Sequence, residues 1–272
     1  MKKRVLSLVL IMILCAALIA GCGAKKDDKI LRVGMECGYA PFNWTQKDAS
    51  NGAVKIEGSN EYAGGYDVEI AKKIAEGLGK ELVIVKTEWT GLLPALTSGK
   101  IDLIIAGMSP TPERLEQIDF SDVYYESDLV IVVKKGGPFE NATSLKDFKG
   151  AKITAQLNTF HYTVIDQIEG VDKQTAMDDF PAMRVALESG IIDGYVTERP
   201  EGVSAEAANS NFKMVELTDG GFETSPEDTA IAVGVKKGSE LTARINEILK
   251  GISAEERIRL MDDAIKNQPA AD

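Results

Sequence analysis

Short apolar runs alternate with segments of helical periodicity along most of this chain, and no other feature narrows its fold as much. Residues 30–35 (ILRVGM), 82–85, 101–106 and 129–134 have the length and composition of strands. Between them, Val68, Ala71, Ile74, Ala75 and Leu78 recur at the spacing of one helix face, and Gly79 follows as a stop. A short helix is expected over 92–97 and another opening at Thr111. The alternation then begins again. Helices are expected over 144–148, 159–168 and 179–188, and another ends at 206–209. Strands are expected over 151–155, 192–196, 212–217 and 229–235, before two last helices over 240–249 and 254–266. Residues 45–65 are polar and rich in Gly, Asn and Ser, and read as a surface loop with room for a small hairpin. Such alternation predicts parallel-type sheets with crossover helices, here in two α/β lobes. Ligands are then expected where strand ends face helix starts.

The first 22 residues place the protein before its fold is considered. Lys2, Lys3 and Arg4 precede residues 5–20, whose single polar residue is Ser7. Sixteen residues are short for a membrane span but suit the apolar region of a signal peptide. Ile19, Ala20, Gly21 and Cys22 resemble the lipobox of bacterial lipoproteins, in which the cysteine is lipidated and becomes the mature N-terminus. The expectation is a signal peptide over 1–21, a lipid-anchored tether over 22–29, and a protein held at the outer face of the cytoplasmic membrane. Removing the three cations of the signal leaves 28 Lys and Arg against 42 Asp and Glu, a formal charge of −14. That surface does not seek nucleic acid or anionic lipid. Of the three cysteines, Cys15 leaves with the signal and Cys22 carries lipid, so Cys37 stands alone as a structural thiol and no disulfide framework exists.

One stretch, MSPTPERLEQIDFS at 108–121, is chemically out of place. Thr111 suits a helix N-cap and Pro112 the first helical position. Arg114 then falls in the first turn, where the helix dipole disfavours a cation. One reading pairs Arg114 with Glu113 or turns it to solvent. The other has free backbone N–H groups, the positive helix end, the Ser109 hydroxyl and the forked guanidinium together gripping a carboxylate.

The segments VGMECGYAPFNW, GGYDVEIAKKIAEGLG, TEWTGLLPALTSGKIDLIIAGMSPTPER and IDFSDVYY, in that order and spacing, resemble the polar amino-acid-binding subunits of ABC importers, solute-binding protein family 3. The resemblance covers about residues 30–267. It implies a two-lobed periplasmic-binding-protein-like II fold in which two strands cross between the lobes. The first lobe would comprise 30–127 and, after the return of the chain, 228–272; the second would be 128–227. One amino acid would bind in the cleft, with no cofactor and no metal, and the protein would act as a monomer that delivers its ligand to an ABC permease and its ATPase subunits.

The same resemblance assigns roles. Arg114 matches the arginine that grips the ligand α-carboxylate, and Ser109 a residue donating to the same group. Gly107 matches the position whose carbonyl accepts from the α-amine. Tyr39 and Trp89 match aromatic walls for the ligand side chain. Gln156, Thr159 and the N–H of Phe160 would close over the ligand from the second lobe. Glu198 stands where the family usually has an aspartate pairing with the α-amine, and Asn158 where it commonly has glycine. Glu36 matches an acidic residue that meets the cationic end of the ligand in lysine- and arginine-binding relatives; alternatively it pairs with a protein lysine or faces water.

A zwitterion in a closing cleft needs a partner for each charge, because burying either charge alone costs several kcal/mol. Partners on opposite lobes would make the ligand a bridge that favours the closed state. The lone histidine, His161, is expected at the surface or rim, Trp44 at a packing position, and Tyr124 and Tyr125 near the hinge. Glu36, Glu88 and Glu198 make an acidic cleft, which favours arginine or lysine, with glutamine or another neutral polar amino acid second. A lyase or dehydratase on the same fold is the enzymatic alternative, weakened by one histidine and no nucleophile–base set. A sensor domain would continue into a membrane-spanning and signalling segment.

Overall fold

In the computed structural model, residues 28–269 are described; residues 1–21, expected to be a signal peptide, and Cys22 lie outside them. Strand Ile30–Met35 buries Leu31, Val33 and Met35 and takes parallel partners on both sides, Glu81–Lys86 and Leu103–Ile104. The connection between the first two of these contains helix Tyr66–Leu78, whose apolar face (Val68, Ile70, Ala71, Ile74) is buried against that sheet. Helix Leu92–Ser98 supplies the second crossover.

Each lobe is a mixed five-stranded sheet rather than a purely parallel one. The first runs Glu81–Lys86, Ile30–Met35, Leu103–Ile104, Ala230–Lys236, Ile118–Glu126, and its last two strands are antiparallel to their neighbours. The second runs Asp172–Lys173, Lys152–Thr154, Gly194–Glu198, Leu129–Lys134, Phe212–Val215, again with three parallel strands and then antiparallel pairing. The strands that carry the chain between lobes have no crossover helix to reverse them, so they pair antiparallel. Strand Ile118–Glu126, the longest among the described residues, is one that helix-and-strand periodicity did not pick out. Residues 45–65 are more ordered than expected. Asn43–Gln46, Tyr62–Gly64 and Val54–Lys55 form a small antiparallel sheet with Gly38–Tyr39.

The chain leaves the first sheet at Glu126 and enters the second at Leu129, and it returns between Val215 and Ala230. The two passages are tied by Ser127 N donating to Thr229 O at 3.2 Å. The last helices, Leu241–Lys250 and Ala254–Asn267, pack back on the first lobe, where Arg257 Nη1 donates to Val123 O at 2.9 Å. Ile131, Ile153, Ile165 and Val196 build a core inside the second lobe. The larger core around the first sheet continues across the cleft to Phe180, Met183 and Tyr195, so the lobes are closed on one another.

Candidate ligand-binding cleft

Strand Leu103–Ile104 is only two residues long because the chain leaves the sheet to enter the cleft. At Gly107 φ is +61°, and a Cβ there would lie 2.6 Å from Tyr39 Cε1. Both facts require glycine. The backbone then passes Ser109, whose hydroxyl donates to Asp228 O at 2.8 Å. Thr111 is extended (φ −62°, ψ 155°) and Pro112 opens a helix, but the helix is the single turn Pro112–Leu115 and the Thr111 side chain does not cap it. The N–H groups of Arg114 and Leu115 are already bonded to Thr111 O. Those two N–H groups are engaged within the turn, and a helix of one turn carries little dipole, so the guanidinium is the strongest positive group at this position.

Arg114 is buried, 9% exposed. Its Nη1 donates to Ser109 O at 2.8 Å and its Nη2 crosses the cleft to Asn158 O at 3.1 Å. The guanidinium lies 5.0 Å from the centre of the Trp89 ring. Trp89 Nε1 also donates to Asn158 O, at 3.4 Å. Arg114 makes no ion pair among the described residues, and burial pulls its pKa down to about 10. Neither pairing with Glu113 nor a turn to solvent describes it.

The second lobe meets this surface with residues 156–161. Asn158 has φ +58°, the left-handed conformation that asparagine tolerates better than other non-glycine residues, so the turn survives without glycine. Thr159 is the extended N-cap of helix Phe160–Val164, and its hydroxyl donates to Gln156 O at 2.7 Å instead of capping. Gln156 Nε2 crosses the cleft to Glu36 Oε1 at 2.9 Å. Glu198 ends strand Gly194–Glu198, is 2% exposed, accepts a hydrogen bond from the Tyr39 hydroxyl, and has His161 Nε2 at 2.9 Å.

His161 corrects an expectation. It is 5% exposed and lines the cleft, because the left-handed turn at Asn158 aims the first turn of a five-residue helix at the other lobe. Tyr39 is likewise more enclosed than an open aromatic wall. Its ring stacks on Phe180 of the second lobe with centroids 4.2 Å apart and touches Phe42 of the first. Trp44 is buried and bonded to Gln46, and Tyr124 is buried with its hydroxyl donating to Asp67, in keeping with packing roles. Cys37 is buried, and burial pushes its thiol up to about 12.

Tyr39, Trp89, Gly107, Ser109, Arg114, Gln156, Thr159 and Phe160, all expected from the sequence, line one cavity together with His161. Its volume is about 10 Å³, room for roughly one water. Glu36 and Glu198 reach it through Gln156 and through Tyr39 and His161. Glu36 is buried and makes no ion pair with lysine among the described residues; its Oε2 has no hydrogen-bond partner. Burial, with Asp179 and Glu88 nearby, raises its pKa to about 8 against the opposing Gln156 bond. Sequence reasoning missed His161, Phe180 and the Asn158 carbonyl. Only Phe180 left a signal, standing directly after the Asp179 N-cap at a helix start. No group of residues among those described is arranged to hold a metal.

The chain spans nearly the whole length of several characterised proteins. It is 30% identical to the arginine-binding extracellular protein ArtP of Bacillus subtilis, over 92% of each chain. It is 29% identical to the glutamine-binding protein GlnH of the same organism, over 98% of this chain and 99% of that one. The fold superposes on the ABC transporter substrate-binding protein AbpA of Streptococcus pneumoniae, solved bound to L-arginine, with a TM-score of 0.74 and 27% identity over 88% of this chain and 95% of that one. Each of these relatives is named for binding an amino acid or a substrate, and GlnH and AbpA are named as proteins of ABC transporters. Residues 31–264 match the bacterial extracellular solute-binding proteins, family 3, to which this protein belongs.

Proposed function

We propose that the protein is the extracytoplasmic receptor of an amino-acid ABC importer and that its ligand is arginine or lysine. The observation that carries this is a buried cation and a buried carboxyl at the two ends of one closed cleft, neither in an ion pair among the described residues: the Arg114 guanidinium, bonded only to carbonyls, and the Glu36 carboxyl, bonded only to the Gln156 amide. A free amino acid with a cationic side chain supplies both missing partners, its α-carboxylate to Arg114 and its side-chain end to Glu36. Tyr39 and Trp89 flank the aliphatic stem, Gly107 and Ser109 contribute polar groups from the first lobe, and Gln156, Thr159 and Phe160 close from the second. Glu198 serves the α-ammonium. The arginine ligands of ArtP and AbpA support this reading.

Glutamine is the second reading, and one feature favours it. Burial raises the Glu36 pKa to about 8, which favours the protonated carboxyl at neutral pH, and a neutral carboxyl suits a carboxamide. An ancestral arginine-binding protein has been solved with glutamine bound, which supports keeping this second reading (31% identity, TM-score 0.71, over 87% of this chain and 98% of that one).

The receptor acts as a monomer whose lobes, 30–127 with 228–272 and 128–227, move as units. Its tether, 22–29, follows lipidation of Cys22 after removal of residues 1–21, and loss of membrane association in Cys22→Ala checks that anchor. No helix among the described residues is long and apolar enough to cross a membrane. Thermal unfolding of the purified protein against each of the twenty amino acids tests the ligand. At 100 times its dissociation constant the true ligand stabilises by ~2.7 kcal/mol. Arginine or lysine is expected to give the largest shift, and a larger shift with glutamine reverses the order of the two readings.

A further inference from the structure

The two strand exits that deliver the first-lobe cleft residues are both left-handed. Cys37, after strand Ile30–Met35, has φ +56°, and Gly107, after strand Leu103–Ile104, has φ +61°. Glycine takes that conformation freely; cysteine does so only where its surroundings hold it. Both backbone groups of Cys37 are held. Its N–H donates to Asn43 Oδ1 at 2.8 Å, and its carbonyl accepts from the Thr45 hydroxyl at 2.8 Å. Asn43 passes the constraint on, its Nδ2 donating to Asp67 Oδ2 at 2.8 Å. The other Asp67 oxygen accepts from the Tyr124 hydroxyl at 2.7 Å, and the Gly107 N–H favours the charged form of both groups. One carboxylate thus ties the exit that carries Glu36 and Tyr39 to the exit that carries Gly107, Ser109 and Arg114.

Asp67 is fully buried, as are Asn43 and Tyr124. Glu201, buried to the same degree, has Arg184 as its counter-charge. Asp67 makes no ion pair among the described residues. Its position in the first turn of helix Tyr66–Leu78 favours a carboxylate, and its neutral donors oppose burial, which raises its pKa only to about 6. It is therefore chiefly charged at and above neutral pH. A chain of contacts leads from it into the cleft: Asp67 to the Gly107 N–H, Gly107 to the Tyr39 ring, and the Tyr39 hydroxyl to Glu198. The charge is felt along this chain, at the Tyr39 phenol and against Glu198. Glu198 has the Arg114 cation within its field as well. Two carboxylates that face one another through Gly107 and Tyr39 repel, and a cation placed between them relieves both.

We propose that Asp67 is a positioning residue for the ligand α-ammonium: it fixes the Gly107 exit beside the cleft, and its buried charge favours a cation held between Gly107 and Glu198. The inference rests on the amino-acid reading above, with the α-ammonium at Gly107 and Glu198. Asp67 then acts on the part of the ligand that every amino acid shares. Glu36 acts on the side-chain end, so the two carboxylates have separable effects on ligand choice. At the effective dielectric of a buried site, a unit charge one peptide unit removed from the ammonium changes affinity roughly ten- to a hundredfold.

Asp67→Asn keeps the shape and removes the charge. Titration calorimetry should show arginine and glutamine weakened alike, by roughly ten- to a hundredfold, while the unliganded melting temperature falls little. Des-amino arginine keeps the carboxylate and the guanidinium but lacks the α-ammonium. Measured by displacement, its affinity should be the same in both proteins within about twofold. Adding Asn43→Asp to Asp67→Asn returns a carboxylate to the network, with Asn at 67 now donating to Asp at 43, and should recover most of the lost affinity. Should Asp67→Asn not fold, the double variant decides: near-native affinity there keeps the inference and lost binding overturns it. Equal weakening of arginine and its des-amino analogue, or a loss of unliganded stability that matches the loss of affinity, makes Asp67 scaffold and overturns the inference while the amino-acid reading stands. Absence of binding by any of the twenty amino acids to the unmutated protein overturns that reading itself.

Discussion

Arg184 and Arg114 are two arginines drawn in from solvent, and they answer burial in opposite ways. Arg184, on helix Phe180–Ser189, places Nε and Nη2 at 3.1 and 2.8 Å from Oε1 of the fully buried Glu201. The Tyr195 hydroxyl donates to the same oxygen at 3.0 Å. Desolvation works against the Arg184 charge, but Glu201 outweighs it and the pKa rises above the ordinary arginine range. Arg114 is desolvated too, has carbonyls and an indole face for company, and its pKa falls to about 10. The two guanidiniums differ in their counter-charge. A fold supplies a carboxylate where an arginine is scaffold. Where it leaves a buried arginine without one, beside a cavity, the missing partner is expected from outside.

The largest expected effects would break this contrast most directly. Arg184→Ala leaves Glu201 as a buried charge without its partner, and chemical denaturation should show a loss of ~3–5 kcal/mol. Arg114→Ala should leave unliganded stability nearly unchanged, because the cation gains little from its present contacts. Calorimetric titration should instead show ~2–5 kcal/mol of lost binding, the range for truncating one partner of a buried charge pair. Comparable stability losses in both variants would erase the distinction between scaffold and waiting arginine.

A smaller effect is expected at the other end of the cleft. Glu36→Gln should weaken arginine or lysine by ~1.5–3 kcal/mol, the worth of a hydrogen bond to a charged group, and should spare glutamine. Equal losses for both ligand types would make Glu36 scaffold like Glu201. The same variant carries a pH signature. The folded-state pKa of Glu36 is raised from 4.5 to about 8, so between those values the folded protein holds a proton that the unfolded chain has released. Its contribution to stability therefore falls as pH rises from 4.5 to 8 and is constant above. Unliganded Glu36→Gln should gain a few kcal/mol on wild type at pH 8.5, at most ~4–5 at about 1.4 kcal/mol per pH unit across that window, and nothing at pH 4, measured by urea midpoints at the two pH values.

The smallest effect tests the turn that connects the two arms of the cleft. Asn158→Gly keeps the left-handed conformation and the carbonyl that receives Arg114 and Trp89. Thermal unfolding and affinity should each change by less than about 1 kcal/mol. A large loss of affinity would assign the Asn158 side chain a role that its backbone geometry does not suggest.

What the sequence alone determined is what depends on neighbours along the chain. Helices Tyr66–Leu78 and Ala254–Asn267 were legible because a buried stripe repeats every three or four residues whatever it packs against. Ser109 and Arg114 were legible together because a cation after Thr-Pro already demanded a reason, and the resemblance to the family added Gly107 a few residues before them. The left-handed turn at Asn158 followed from the residue type. The tertiary structure decided what joins the lobes. Tyr39 meets Glu198 across 159 residues and Gln156 meets Glu36 across 120, and Phe180 covers the face of Tyr39 from the far side of the cleft. His161 looked exposed because its position in a short helix reports only which way it faces on its own element. Whether that face meets water or another lobe depends on how the two crossing strands set the lobes together, and no periodicity within a helix or strand encodes that placement.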